Sequence, residues 1–138
     1  MEVPLRCFDH DRRPPIAPIA GGAAAGERVV LRSADGAELA AFFAAAEQPT
    51  GAAMLILPDV RGLHPYYEEL ALRFAEADID AVAIDYFGRT AGVAARDVDF
   101  DHAPHVAQVQ YDQVMADIAA AAAGLRENAH ERNGCPGF

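Results

Sequence analysis

The stretch LILPDVRGLHPYY, residues 55–67, closes an apolar run with Pro58. It then places Asp59 and Arg61 two residues apart, followed by Gly62 and His64. Opposite charges at the end of a buried strand have two readings. One is a surface ion pair worth under about 1 kcal/mol. The other is the beginning of a site, because ligands of open α/β sheets bind outside the carboxyl ends of the strands. His64 fits either a pocket or a helix start. A further arginine, Arg89, follows a second apolar run, DAVAID. Its planar fork suits a carboxylate, and its plainer reading is again a surface pair.

Three other groups could do chemistry. DFDHAPH brings together Asp99, Asp101, His102 and His105, which are metal ligands by type. Pro104 keeps the two histidines off one regular helix face and no H-E-x-x-H is present, so the stretch reads as a solvated polar loop with no metal. GGAAAG lacks the Lys-Ser/Thr of a P-loop and the G-x-G-x-x-G of a dinucleotide site, so it reads as part of an arm. Cys7 and Cys135 lie near opposite ends and make no disulfide framework.

The elements that must position these groups follow from periodicity. Residues 1–26 contain RRPPIAPIAGGAAAG, which breaks both helix and strand patterns and reads as an arm. RVVLRS, the turn signal Asp35-Gly36 and AELAAFFAAAE form a β-hairpin, with Leu39, Ala41 and Phe43 on one face. AAMLIL, residues 52–57, reads as a strand buried on both faces. A helix opening at Pro65 carries Tyr67, Leu70, Ala71 and Phe74 on its apolar side. DAVAID is a second buried strand. A long polar stretch leads to a last helix marked by Val114, Ile118, Ala121 and Leu125, which fades at Asn128. Strands alternating with helices predict an α/β fold with a parallel β-α-β-α unit after the hairpin. Tyr66, Tyr67, Tyr86 and Phe87 read as core or rim residues.

Composition narrows the function. The chain has 138 residues, the length of one domain, and 52% of them are hydrophobic, enough for a packed core. A net charge of -10 argues against nucleic acid and against an anionic membrane surface. No apolar stretch approaches a membrane span and MEVPLRCFDHDRRPP is no secretory signal, so cytoplasm is the expected compartment.

LILPDVRGLHPYYEELALRFAEADIDAVAIDYFGRTAG resembles the dienelactone hydrolase family of α/β hydrolases. That family shows a strand, then L-P-E/D-x-x-G-L, a helix, and a strand ending in D-x-x-x-R. The likeness runs from about Arg28 to about Glu127. It implies hydrolysis of a carboxylic ester or lactone, one bearing a carboxylate, with no cofactor. It implies that the Val60 backbone N–H is an oxyanion donor and that Asp59 stands where the family's glutamate controls the nucleophile. It places Arg89 on the arginine that holds the substrate's carboxylate, while Arg61 has only a weak claim as a substrate ligand.

The family's nucleophile sits in a G-x-C-x-G elbow on the next strand, followed by an aspartate and a histidine. NGCPGF imitates the elbow at Cys135, but Asn133 replaces its first glycine, no apolar strand precedes it, and Pro136 has no N–H to donate. The chain therefore reads as an arm, 1–26, and the N-terminal half of an α/β-hydrolase domain, 27–138, without nucleophile or triad and inactive alone. Its expected partners are the missing C-terminal half or a second copy at the open sheet edge. The competing expectation is a catalytically silent protein that binds a partner or a small acid.

Overall fold

The computed structural model describes residues 13–19, 24–97 and 99–133. Cys7, Cys135 and NGCPGF beyond Asn133 lie outside them. The elements are β1 (Ala24–Arg32), β2 (Glu38–Ala46), β3 (Ala53–Ile56), α1 (Pro65–Glu76), β4 (Asp80–Ile84), α2 (Gly88–Ala91), α3 (Ala103–Val106) and α4 (Tyr111–Asn133). They build one sheet of order β1-β2-β4-β3, with β1/β2 and β2/β4 antiparallel and β3/β4 parallel.

The hairpin turns where expected. Gly36 takes φ 89°, a conformation that glycine adopts without Cβ strain, and the Gly36 N–H donates to the Ser33 carbonyl at 2.9 Å. β1 begins at Ala24, inside the stretch expected to be arm. Pairing supplies the reason, since Ala24 lies opposite Ala46 and Gly26 opposite Ala44. A Cβ on Gly26 would fall 2.3 Å from the Phe42 ring, so the glycine lets the strands and that ring pack closely. The last helix does not fade at Asn128 but continues to Asn133. Ala129, Glu131 and Arg132 are good helix formers and extend it. The polar stretch holds two short helices, α2 and α3, that periodicity could not register at four residues each.

The sheet is covered on both faces. α1 packs Ala71 and Ala75 against Ala40, Ala44, Ala81, Ala83 and Ile56. α4 packs Ala121, with Ile118 and Leu125, against Leu39, Ala41, Phe43, Val82 and Ile84. Seven of the nine buried residues on the α1 face are alanines, so each contributes little area at about 25 cal/mol per Å² and the layers must approach closely. β4 is buried along its whole length, and its Asp80 carboxylate accepts the Ala46 N–H at 2.8 Å. β3 forms the sheet edge among the described residues, as expected of an incomplete sheet. It is not buried on both faces, however: Met54 is 37% exposed and Leu57 just beyond it 45% exposed, because only β4 pairs with it.

Since β3 and β4 run parallel, their carboxyl ends emerge side by side and set the loops 57–64 and 85–96 together. α2 is pressed onto β2 there. A Cβ on Gly88 would sit 2.3 Å from the Glu38 carbonyl oxygen and 2.8 Å from the Leu39 Cα. Gly88→Ala is therefore expected to destabilise by about 1–3 kcal/mol through overpacking, read as a lowered urea midpoint. An unchanged midpoint would contradict this packing.

Candidate active site

The loop after β3 is a turn whose backbone donors are almost all engaged. The Asp59 N–H donates to the Tyr67 hydroxyl at 3.0 Å. The Arg61 N–H donates to the Asp59 carboxylate at 2.9 Å, and the Gly62 N–H closes the turn on the Asp59 carbonyl at 3.0 Å. The Leu63 N–H donates to the buried Asp85 carboxylate at 3.1 Å. Of the five consecutive amides from 59 to 63, that of Val60 alone has no acceptor among the described residues. Val60 as a residue is half-buried.

Side chains hold the turn. The Asp59 carboxylate receives the Arg61 guanidinium through Nε at 3.0 Å and Nη2 at 2.8 Å, a two-pronged pair. Arg61 is 6% exposed, and its guanidinium carbon lies 5.7 Å from the Tyr66 ring centre and 6.0 Å from that of Tyr67. A surface pair was one reading of these charges; Arg61 is instead buried under aromatic rings. Partial burial pushes the Asp59 carboxyl up, but the hydrogen bonds and charge of Arg61 outweigh it and hold the group below the usual aspartate range. Burial likewise opposes the Arg61 charge, and Asp59 restores it, raising the arginine. The Tyr86 hydroxyl donates to the Pro58 carbonyl at 2.8 Å and so steadies the near end of the turn. His64 caps α1, its Nδ1 accepting the Tyr66 N–H at 3.5 Å, and is buried, which selects the helix-start reading.

The second strand end contributes a pair that sequence reasoning did not single out. Asp85 is fully buried, and its carboxylate meets Arg96 Nε at 2.9 Å and the Phe87 N–H at 3.0 Å. Gly62 fits against it, with φ 73° and a hypothetical Cβ only 2.8 Å from Asp85 Oδ2. The available signal was a carboxylate ending an apolar strand. Its partner lies eleven residues on in an aperiodic loop.

Arg89 does not present a free guanidinium. It pairs with Asp35 of the hairpin turn and, at 2.9 Å, with Asp117 of α4, and it donates to the Gln113 carbonyl at 3.4 Å. Its buried Nε–H has no partner among the described residues. Asp117, 1% exposed, also accepts the Ser33 hydroxyl. The hydrogen bond from Arg89 pulls the Asp35 carboxyl down, and Asp35 in turn raises Arg89. A shallow cleft runs beside this cluster, bordered by Tyr86, Phe87, Thr90, His105 and Gln113. Its room of about 10 Å³ admits about one water molecule. Residues 59–61 are not part of it.

DFDHAPH is occupied locally. Asp101 accepts the Ala103 N–H at 3.4 Å, and His105 Nδ1 meets the Thr90 hydroxyl at 2.8 Å while its ring stacks on Phe100. No group of three or more His, Cys, Asp or Glu among the described residues is placed to hold a metal ion. No helix among them is long and apolar enough to cross a membrane.

The depressed Asp59 and Asp35 carboxyls set a pH dependence. The unfolded chain protonates them first, near the ordinary aspartate value of about 3.9. Their contribution is thus fully present above that pH and is lost as pH falls through the lower folded values. The urea midpoint is expected to drop between pH 5 and pH 3, and Asp59→Asn to flatten part of that slope. An identical slope in the variant would contradict the Asp59–Arg61 pairing.

No family model and no curated protein matches the chain. Solved structures do. One is the "Putative Dienelactone Hydrolase" of Klebsiella pneumoniae subsp. pneumoniae MGH 78578, similar at TM-score 0.64 and 20% identity over 76% of this chain and 45% of that one. A structure named m3DLH is similar at 0.57 and 18% identity, over 72% and 43%. Hypothetical protein PA2218 from Pseudomonas aeruginosa is similar at 0.53 and 21% identity, over 91% and 36%. The chain spans less than half the length of each of these structures. At this level of identity the likeness is one of fold, and over most of its length the chain has the α/β fold of dienelactone hydrolase-like structures.

Proposed function

We propose that these 138 residues form part of a hydrolase of carboxylic esters or lactones, to which they contribute one oxyanion donor, the Val60 N–H. The observation that carries this reading is the uncommitted amide of Val60 in a turn whose other four donors are engaged. Its position at the carboxyl end of β3 fits the place where open α/β sheets bind ligands. The fold likeness and the L-P-D-x-x-G-L motif support the same reaction class.

In acyl transfer, a nucleophile adds to the carbonyl carbon and negative charge gathers on its oxygen. A donor fixed in advance stabilises that charge without reorganising, worth about 3 kcal/mol for one N–H. The nucleophile, aspartate and histidine of a Cys/Ser-His-Asp triad are supplied from outside these residues, and the 138-residue chain alone is inactive. Asp59 acts on the nucleophile from a side chain that is one-third exposed, with Arg61 holding both of its oxygens. Arg61 serves to hold this loop, and direct substrate contact is secondary. A substrate carboxylate reaches Arg89 by exchanging with Asp35, the more exposed of its two partners. The doubly paired state of Arg89 is also the one observation favouring a silent binding protein, because an arginine so engaged is structural at rest.

The purified chain is expected to show no p-nitrophenyl ester turnover above buffer; turnover lost on Cys135→Ala would contradict this. The second test adds a fragment of the same fold carrying an elbow, aspartate and histidine. Hydrolysis should then appear. Val60→Pro, at a turn position that proline favours, removes the N–H and should lower kcat by about 10²–10³. Full activity of Val60→Pro would overturn the assignment.

A further inference from the structure

The Asp85–Arg96 pair is the most deeply buried ion pair among the described residues, with side chains 0% and 5% exposed. Arg96 spends its other donors on the Ala91 carbonyl at 3.1 Å and the Gly92 carbonyl at 2.6 Å, and lies 4.9 Å over the Phe100 ring. As a source of stability such a pair is poor, since apolar residues of similar volume often serve as well. What an apolar pair cannot do is accept hydrogen bonds, and Asp85 accepts two from backbone on different loops. Oδ2 takes the Leu63 N–H and Oδ1 takes the Phe87 N–H. Gly62, with φ 73° and no Cβ, is what allows the carboxylate to reach Leu63.

The near end of the turn is fixed by Tyr67 on the Asp59 N–H and Tyr86 on the Pro58 carbonyl. The far end is fixed by Asp85 on the Leu63 N–H. Val60 lies between. We propose that Asp85, oriented by Arg96, is a positioning residue for the Val60 N–H: it locks the far end of the turn to the end of β4 and so sets where the donor points. The proposal rests on the hydrolase reading only for what the donor is used for.

The test compares wild type, Asp85→Leu, Asp85→Leu/Arg96→Met and Asp85→Asn in the isotope-labelled 138-residue chain. Urea unfolding reads global stability. Amide exchange reads Leu63 and Phe87, with Val82 in the middle of β4 as the global reference. Asp85→Leu alone leaves Arg96 buried without its carboxylate and should lower the midpoint. The double variant should recover much of that loss. Its Leu63 amide should still exchange faster than wild type by about tenfold or more beyond any change at Val82, as expected on losing a charged acceptor, with the Val60 amide resonance displaced. Leu63 protection that returns together with the midpoint would overturn the proposal, because Asp85 would then be only a core residue. Should the leucine variants fail to fold, Asp85→Asn decides. Its NH2 stands where one carboxylate oxygen accepted and can only donate, so Leu63, served by Oδ2, or Phe87, served by Oδ1, should exchange faster, and wild-type protection at both would equally overturn it. No readout involves hydrolysis, so a failed hydrolase assignment leaves this result standing.

Discussion

A buried carboxylate cannot remain unpaired, and the end of β4 is arranged around that constraint. Asp85 has no access to solvent, so its charge must be paired and hydrogen-bonded within the protein. It finds Arg96, Leu63 and Phe87, which belong to three different loop segments. Satisfying one group thereby draws together the loop after β3, the loop after β4 and the segment before α3. The approach requires a residue without a side chain at position 62, where the turn from Asp59 ends. The same logic makes the Val60 N–H informative. In a turn where the neighbouring donors are all spent, it is the one left open among the described residues.

Acidic excess shapes the rest of the electrostatics. The chain carries 21 acidic residues against 11 basic ones. Arg61 is held by Asp59, Arg96 by Asp85, and Arg89 by both Asp35 and Asp117. Arg96 and Arg89 act first as internal clamps between segments that the backbone alone would not join, and Arg61 braces its own turn. Arg89 joins the hairpin turn, α2 and α4, with Ser33 completing the cluster through Asp117. Arg89 already carries two carboxylates, of which Asp35 is the one that water reaches.

Much of the fold was legible because its signals are local. Asp35-Gly36 announces the hairpin, alternation assigns Leu39, Ala41 and Phe43 to one face, and Pro65 opens α1. Failures came where a neighbour decides. The start of β1 at Ala24 depends on Ala46 across the ladder, and the exposure of Met54 and Leu57 depends on what pairs with β3. The position of Val60 in the candidate site came from motif resemblance. That its N–H stands apart from four engaged neighbours could not be read from sequence, because those acceptors come from Tyr67, Asp59 and Asp85, the last 22 residues from the amide it receives. Burial of Arg61 was equally unreadable, since the rings of Tyr66 and Tyr67 reach it only once α1 forms.

The central claim is that one backbone donor is held ready in a rigid turn. Its most direct test is the temperature dependence of the amide proton shifts of residues 59, 60, 61, 62 and 63 in the wild-type chain. Shallow gradients, those of internally bonded amides, are expected at 59, 61, 62 and 63, and a steep, solvent-bonded gradient at Val60 alone. A shallow gradient at Val60, or steep gradients across all five, would contradict it.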